Sequence, residues 1–187
     1  MASSYRLTLE NWLATLDVKA NRVLGIGDSQ NPTKGRTKSW EVKEYLIADL
    51  PEPHKDSPKP DIEIDLNYQI SAEGNQFDVV FCLEVFDYVF NPVAAIGTIA
   101  SYLKPSGTAW VTFPSIYPLH QPVEDDALRY MPAGIIKLAE SAGLSVEQMI
   151  KRRPETNLFE QFYRAERMRA AKHEDHNFTG FIVEFKK

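Results

Sequence analysis

"FDVVFCLEVFDYVFNPVAAIGTIASYLKPSG", Phe77 to Gly107, holds a strand, a helix and the turn between them. Phe77 to Val85 is an almost unbroken apolar run, the pattern of a central parallel strand covered on both faces. Asn91-Pro92 is a good helix start, with Asn as N-cap and Pro at the first helical position. Val93, Ile96, Ile99, Ala100 and Leu103 then recur at helical spacing. Lys104 to Gly107 ends that helix, and "TAWVTF" begins another strand.

The same alternation extends outward. Leu9 to Asp17 can form a short helix with Leu9, Trp12, Leu13 and Leu16 on one stripe. "RVLGIG", Arg22 to Gly27, is a short apolar strand; "EYLIADL", ending at Leu50, is a second; "DIEIDLN" alternates like a third. "PEPHKDSPKP" between them is a loop. Downstream, "MPAGIIKLAESAG" reads as a helix with Gly143 just past its end. "LSVEQMIKR" can be a strand, Leu158 to Lys172 a helix, and "FTGFIVEFKK" a terminal strand. Strands and helices in turn imply an α/β fold, Rossmann-like, with a mostly parallel sheet and helices on both faces. Ligands bind such sheets beyond the carboxyl ends of the strands. The loops after "VLGIG", "LIAD", "EID", "FCLE" and "VTF" are therefore the places for chemistry.

At 187 residues the chain suits one domain, 1–187. Hydrophobic content of 43% and charged content of 25% are those of an ordinary globular protein. A net charge of −5 argues against a general nucleic-acid surface. Cys82 is the single cysteine, so no intrachain disulfide forms, and inside an apolar strand it reads as core filler. The first residues lack the pattern of a signal peptide, and no apolar run approaches the roughly 20 residues of a membrane span. A soluble cytoplasmic protein without a membrane partner is expected. His173 and His176 lie close together with acids between, but two histidines without further ligands do not make a metal site, and none is expected.

Taken together, the loops resemble those of class I S-adenosylmethionine (SAM)-dependent methyltransferases of the type 11 group. Phe77 to Gly107 is similar to the family pattern FDhV…EVhEHh.NP…h.LKPGG, where h is apolar. "YPLHQPVEDDALRYMPAGIIKLAESAGL", Tyr117 to Leu144, resembles a segment of members associated with glycan biosynthesis. The resemblance spans Arg22 to Val146. It implies an antiparallel C-terminal strand and a bound SAM. Gly25, Ile26, Gly27, Asp28 and Ser29 would pass under the methionine part, with Gly27 allowing close approach. Asp49, with Leu50, ends the second strand about twenty residues on, where a carboxylate can accept hydrogen bonds from ribose hydroxyls. Asp65 and Leu66 match the acidic-apolar pair beside the adenine. Leu83 and Glu84 would line the methionine end. The chain departs from the family at Gly25, usually acidic, and at Ser29 and Asn31, usually glycine. Asp87-Tyr88 replaces the usual Glu-His. "NPTKGRTKSW" has Pro32, Gly35 and no apolar stripe, unlike the helix normally found there.

His120 to Arg129 is the segment richest in polar groups. Methyl transfer from a sulfonium is a displacement in which the enzyme chiefly positions donor and acceptor. A hydroxyl acceptor also needs its proton removed. His120 is the expected general base, with Asp125 or Asp126 orienting it and Arg129 fixing the carboxylates. Tyr88, Tyr117, Glu124 and Arg129 are expected against the substrate. The resemblance implies a small-molecule acceptor, a sugar or nucleotide sugar among the candidates, and is compatible with a homo-oligomer. Lys34, Arg36 and Lys38 read either as a solvated loop or as contacts for an anionic substrate. "YPLHQPVEDD" and Thr156 to His176 are candidates for a lid. Because the glycine loop is eroded, a non-catalytic SAM binder or partner protein of the same fold is the second reading.

Overall fold

The computed structural model describes residues 4–53, 57–68, 76–153 and 177–187. Its elements run α1 (Ser4–Leu13), β1 (Asp17–Ile26), β2 (Ser39–Asp49), β3 (Ile62–Glu63), β4 (Phe77–Cys82), α2 (Pro92–Tyr102), β5 (Leu103–Pro114), α3 (Pro132–Ser141), β6 (Ser145–Arg152) and β7 (Gly180–Lys186). The strands form one seven-stranded sheet in the order β3-β2-β1-β4-β5-β7-β6. β1, β2, β3, β4 and β5 pair in parallel. β7 runs antiparallel to both β5 and β6, as expected for the terminal strand. The expected helix over Leu158 to Lys172, the pair His173 and His176, and the lid segment Thr156 to His176 lie outside the described residues.

The stretch from Phe77 folds as its residues dictate. Val80, Phe81 and Cys82 are fully buried in β4. Asn91 caps α2, its Oδ1 accepting from the Ala94 amide at 3.4 Å, with Pro92 in the first turn. Ile96, Ile99 and Ala100 pack on the sheet, whereas Val93, expected on that stripe, is 58% exposed at the start of the helix. α2 and α3 cover one sheet face, packing Ile96, Ile99, Ile135 and Ala139 against Val80, Val111, Phe113 and Val183. α1 covers part of the other face, placing Leu9 and Leu13 against Val23, Phe81 and Ile182.

Among the described residues, the connections around β1, β2 and β3 carry no helix. A parallel crossover usually needs one; here β1 reaches β2 through the 12 residues Gly27 to Lys38 as turns alone. Pro32 and Gly35 explain the missing helix, and Gly35 has φ +90°. Polar side chains fasten this crossover instead. The Arg36 guanidinium donates to both carboxylate oxygens of Glu10 on α1, at 2.7 and 3.1 Å, and to the Asn31 carbonyl at 3.0 Å. β1 and β2 are longer than their apolar cores, because each extends at its N-terminal end into polar sequence, Asp17–Asn21 and Ser39–Glu44.

Candidate functional site

A cavity of about 760 Å³ opens at the carboxyl ends of β1, β2 and β4. Volume and position suit a small-molecule site. Gly27 follows β1 with φ +74°, and a side chain there would collide with Cγ2 of Val85. Glycine is required on both counts, so the backbone itself forms the cavity wall.

The polar residues after Gly27 rebuild the turn. Asp28 is buried, its Oδ2 accepting from the Tyr45 hydroxyl at 2.5 Å and from the Thr33 amide at 2.9 Å. A Cβ on Gly25 would collide with Asp28 Oδ2 and lie 2.6 Å from the Tyr45 hydroxyl. The Asp28 carboxylate thus fills the space a residue-25 side chain would enter. Burial raises its pKa, and the hydrogen bonds from Tyr45 and Thr33 act against that rise. Asp49 ties two loops together: Oδ2 accepts from the Ser29 amide at 3.3 Å and Oδ1 from the Leu50 amide at 2.9 Å. Asp65 Oδ1 accepts from Asn67 N–H, and Asn67 Oδ1 in turn accepts from Phe90 N–H, both at 2.9 Å. Buried Ile64 and Leu66 and exposed Leu50 and Phe90 give this end apolar walls.

Glu84 ends the β4 loop in the left-handed region, φ +60°. Its amide donates to Thr112 Oγ1 at 2.7 Å, and the Thr112 hydroxyl donates back to Glu84 Oε1 at 2.9 Å. Arg152 of β6, fully buried, donates to the two Glu84 oxygens at 2.5 and 3.2 Å and to the Tyr5 carbonyl at 2.7 and 3.2 Å. The guanidinium carbon lies 3.1 Å from the centre of the Tyr5 ring. The Glu84 carboxylate is therefore held from behind while it lines the cavity.

At the far end, His120 N–H donates to Asp126 Oδ2 at 2.7 Å, and Arg129 grips Asp126 with two bonds of 2.5 and 2.6 Å. Those Arg129 bonds hold the Asp126 pKa below the usual carboxylate range. Asp126 thus fixes the His120 backbone and not its ring, a correction to the role expected of it. The ring is oriented by Tyr88 and Gln121: Tyr88 Oη is in close contact with His120 Nδ1, and the hydroxyl donates to the Gln121 carbonyl at 2.7 Å. Nδ1 also lies 3.0 Å from the same carbonyl. The Gln121 carbonyl can only accept, so its 3.0 Å approach assigns the imidazole proton to Nδ1 and the lone pair to Nε2. Asp87, beneath this cluster, is buried, and its pKa is pushed up to about 6, first by burial and then by Glu84.

Ile26, Gly27, Asp28, Asp49, Leu50, Asp65, Leu66, Leu83, Glu84, Tyr88, His120, Glu124 and Asp125 all line the one cavity. Gly25, Ser29, Tyr117, Asp126 and Arg129 stand behind it: Gly25 and Ser29 are buried, Tyr117 stacks on Tyr5 with ring centroids 4.2 Å apart, and Asp126 and Arg129 pair with each other. The sequence reading missed Arg152 and Tyr5, which are remote from the loops, and Asn67. It read Arg36 as solvated or substrate-facing; Arg36 lines the cavity while bound to Glu10.

Residues 36–111 match the type 11 methyltransferase family, described as "Methyltransferase domain". The match begins beyond the β1 loop, where the glycine pattern is lost. No curated protein sequence matches the chain. Among solved structures, a putative methyltransferase from Bacillus halodurans C-125 superposes with a TM-score of 0.64 at 13% identity, covering 97% of this chain and 98% of that one. An S-adenosylmethionine-dependent methyltransferase from Mesorhizobium loti gives 0.63 at 13%, covering 98% of each chain. A 1,6-didemethyltoxoflavin-N1-methyltransferase from Burkholderia thailandensis, with bound S-adenosylhomocysteine, gives 0.59 at 10%, covering 98% of this chain and 76% of that one. At these identities the likeness is one of fold. No helix among the described residues is long and apolar enough to cross a membrane. The matched segment is thus similar to a methyltransferase domain, and it lies within a fold shared with S-adenosylmethionine-dependent methyltransferases.

Proposed function

We propose that the protein transfers the methyl group of SAM to a hydroxyl of a small hydroxylated acceptor, with a sugar or nucleotide sugar as the class to test first. The residues present suit the cofactor: Gly27 leaves a wall no Cβ could occupy, Asp49 offers carboxylate lone pairs to ribose hydroxyls, and Leu50, Leu66 and Phe90 suit a planar base. Gly25, Ile26, Asp28, Ser29, Asp65, Leu83 and Glu84 would complete that half. SAM supplies an electrophilic methyl group on a sulfonium.

The chain's own part is to bind, orient and deprotonate the acceptor. The observation that carries this reading is the position of His120 on the cavity wall, with Tyr88 and Gln121 gathered at its Nδ1. Tyr88 and Gln121 engage Nδ1, which leaves Nε2 as the atom that takes the hydroxyl proton. Asp126, braced by Arg129, holds the backbone of that histidine, while Glu124 and Asp125 on the same wall suit hydrogen bonds from sugar hydroxyls. Tyr117 and Arg129 support the loop from behind. The test pairs calorimetry of SAM binding with turnover across a panel of nucleotide sugars. His120→Gln should keep SAM affinity and lose roughly 10²–10⁴-fold in turnover. Turnover within a few-fold of wild type on an accepted substrate would remove His120 as the base.

A further inference from the structure

The outer edge of β2 has a partner only at its C-terminal end. β3 pairs with Ala48 and Asp49, and Asp61 closes Ile47 by accepting from its amide at 2.8 Å and donating to its carbonyl at 2.9 Å. From Ser39 to Leu46 that edge meets no strand among the described residues. On the inner side, β1 pairs with β4 only from Val23 onward. Asp17–Arg22 and Ser39–Glu44 therefore project past the rest of the sheet as a two-stranded parallel ribbon. A ribbon of two strands is marginal by itself, and a long unpaired edge is a template for another strand.

We propose that this edge is a homodimer interface, where a second copy of the chain pairs antiparallel about Val42 and joins the two sheets into one. The charges select the occupant and the register. Glu41 and Lys43 are exposed and flank the half-buried Val42. A two-fold axis at Val42 sets Glu41 opposite the partner's Lys43 and Lys43 opposite the partner's Glu41. Moving the axis to Glu41 or to Lys43 sets that charge against its own copy, and in-register parallel pairing opposes like charges at both positions. Opposite charges directly across strands stabilise and like charges destabilise. Lys19, which faces Glu41 on β1 and pairs with it at 3.2 Å, extends the alternation to Lys19, Glu41 and the partner's Lys43 in one row. An isologous contact of this kind closes at two copies, which protects the edge from further growth. The ribbon lies at the N-terminal ends of β1 and β2, opposite the cavity, so pairing leaves the cavity open.

Sedimentation velocity on the full chain, at low and high salt, tests the interface. The wild type should be a dimer that weakens with salt. Lys43→Glu should raise the dimer dissociation constant about tenfold or more, and exchanging every charge of the row, Lys19→Glu/Glu41→Lys/Lys43→Glu, should restore it to within about threefold. Lys43→Pro, which removes an N–H on the outer edge, should leave a monomer, with circular dichroism confirming that each variant is folded. A wild type that stays monomeric at its highest soluble concentration overturns the proposal. So does a dimer that neither Lys43→Glu nor Lys43→Pro weakens, or one that the fully exchanged row fails to restore.

Discussion

The two halves of the sheet are built by different means. In the half formed by β4, β5, β7 and β6, α2 and α3 cover one face and apolar packing sets the geometry. In the half formed by β1, β2 and β3, the described connections have no helix, and carboxylates clamp the chain instead. Asp78 Oδ2 accepts from the Asn21 and Arg22 amides at 3.0 and 2.7 Å, where β1 leaves its ribbon to join β4. Asp28 takes the Thr33 amide, Asp49 the Ser29 and Leu50 amides, Asp61 the Ile47 amide, and Glu10 takes Arg36. Backbone N–H groups without a helix or ladder still need partners.

The largest break should come at the buried ion pair within the helical half. Glu84→Gln leaves Arg152 fully buried with no carboxylate, which should cost about 3–5 kcal/mol in urea melts. Replacing both partners with apolar residues of similar volume should recover most of that loss, because it is the unpaired charge that destabilises. If Glu84→Gln melts like the wild type, the pair does not hold that half together. A middle-sized effect belongs to the β1 turn. Asp28→Ala strands the Tyr45 hydroxyl and the Thr33 amide and should cost about 1–3 kcal/mol. It also vacates space beside Gly25, so Gly25→Ala should be less damaging in the Asp28→Ala background than in the wild type. Additive losses would show that Asp28 does not occupy the residue-25 space.

The helical half was the more legible in the sequence, and the reason is physical. Periodic apolar residues, a cap and a proline are local signals, so β4, α2, β5 and α3 could be placed from neighbours in the chain. The absence of a helix after β1 was legible too, from Pro32 and Gly35. The long-range polar pairs were not. Glu10 with Arg36, Asp78 with Asn21, and Arg152 with Glu84 join residues 26, 57 and 68 positions apart. No local pattern marks such pairs. The lengths of β1 and β2 were missed for a related reason. Their N-terminal halves, "DVKAN" and "SWEVKE", are too polar to read as sheet core, and they form a ribbon past β4 whose Val18, Trp40 and Val42 still pack on the core beside α1. Within the site, the residues on strand ends were legible because the fold sends those ends to one cavity. The hydrogen bonds that fix His120 depend on how the loop from Tyr117 to Arg129 folds back on Tyr88, which spacing does not reveal.

The smallest effect should come from the clamp nearest solvent. Glu10 receives Arg36 through two bonds and Arg6 through one of 2.8 Å, and its side chain is 34% exposed. Screening limits such a pair, so Glu10→Gln should cost only about 0.5–1 kcal/mol at neutral pH. The pH dependence identifies the interaction. Burial tends to raise the Glu10 pKa, but the hydrogen bonds from Arg36 and then Arg6 outweigh it, and the folded value lies below 4.5. A depressed folded pKa means that the unfolded chain takes up the proton first as pH falls. The contribution of Glu10 is therefore fully present above the unfolded value and is lost as pH drops through the folded one. Urea melts of wild type and Glu10→Gln should differ at pH 7 and converge toward the lowest pH at which both still fold. High salt at pH 7 should narrow the difference in the same way. A difference that survives both acid and salt would mean that Glu10 works through packing, and that this clamp belongs with the apolar half of the comparison.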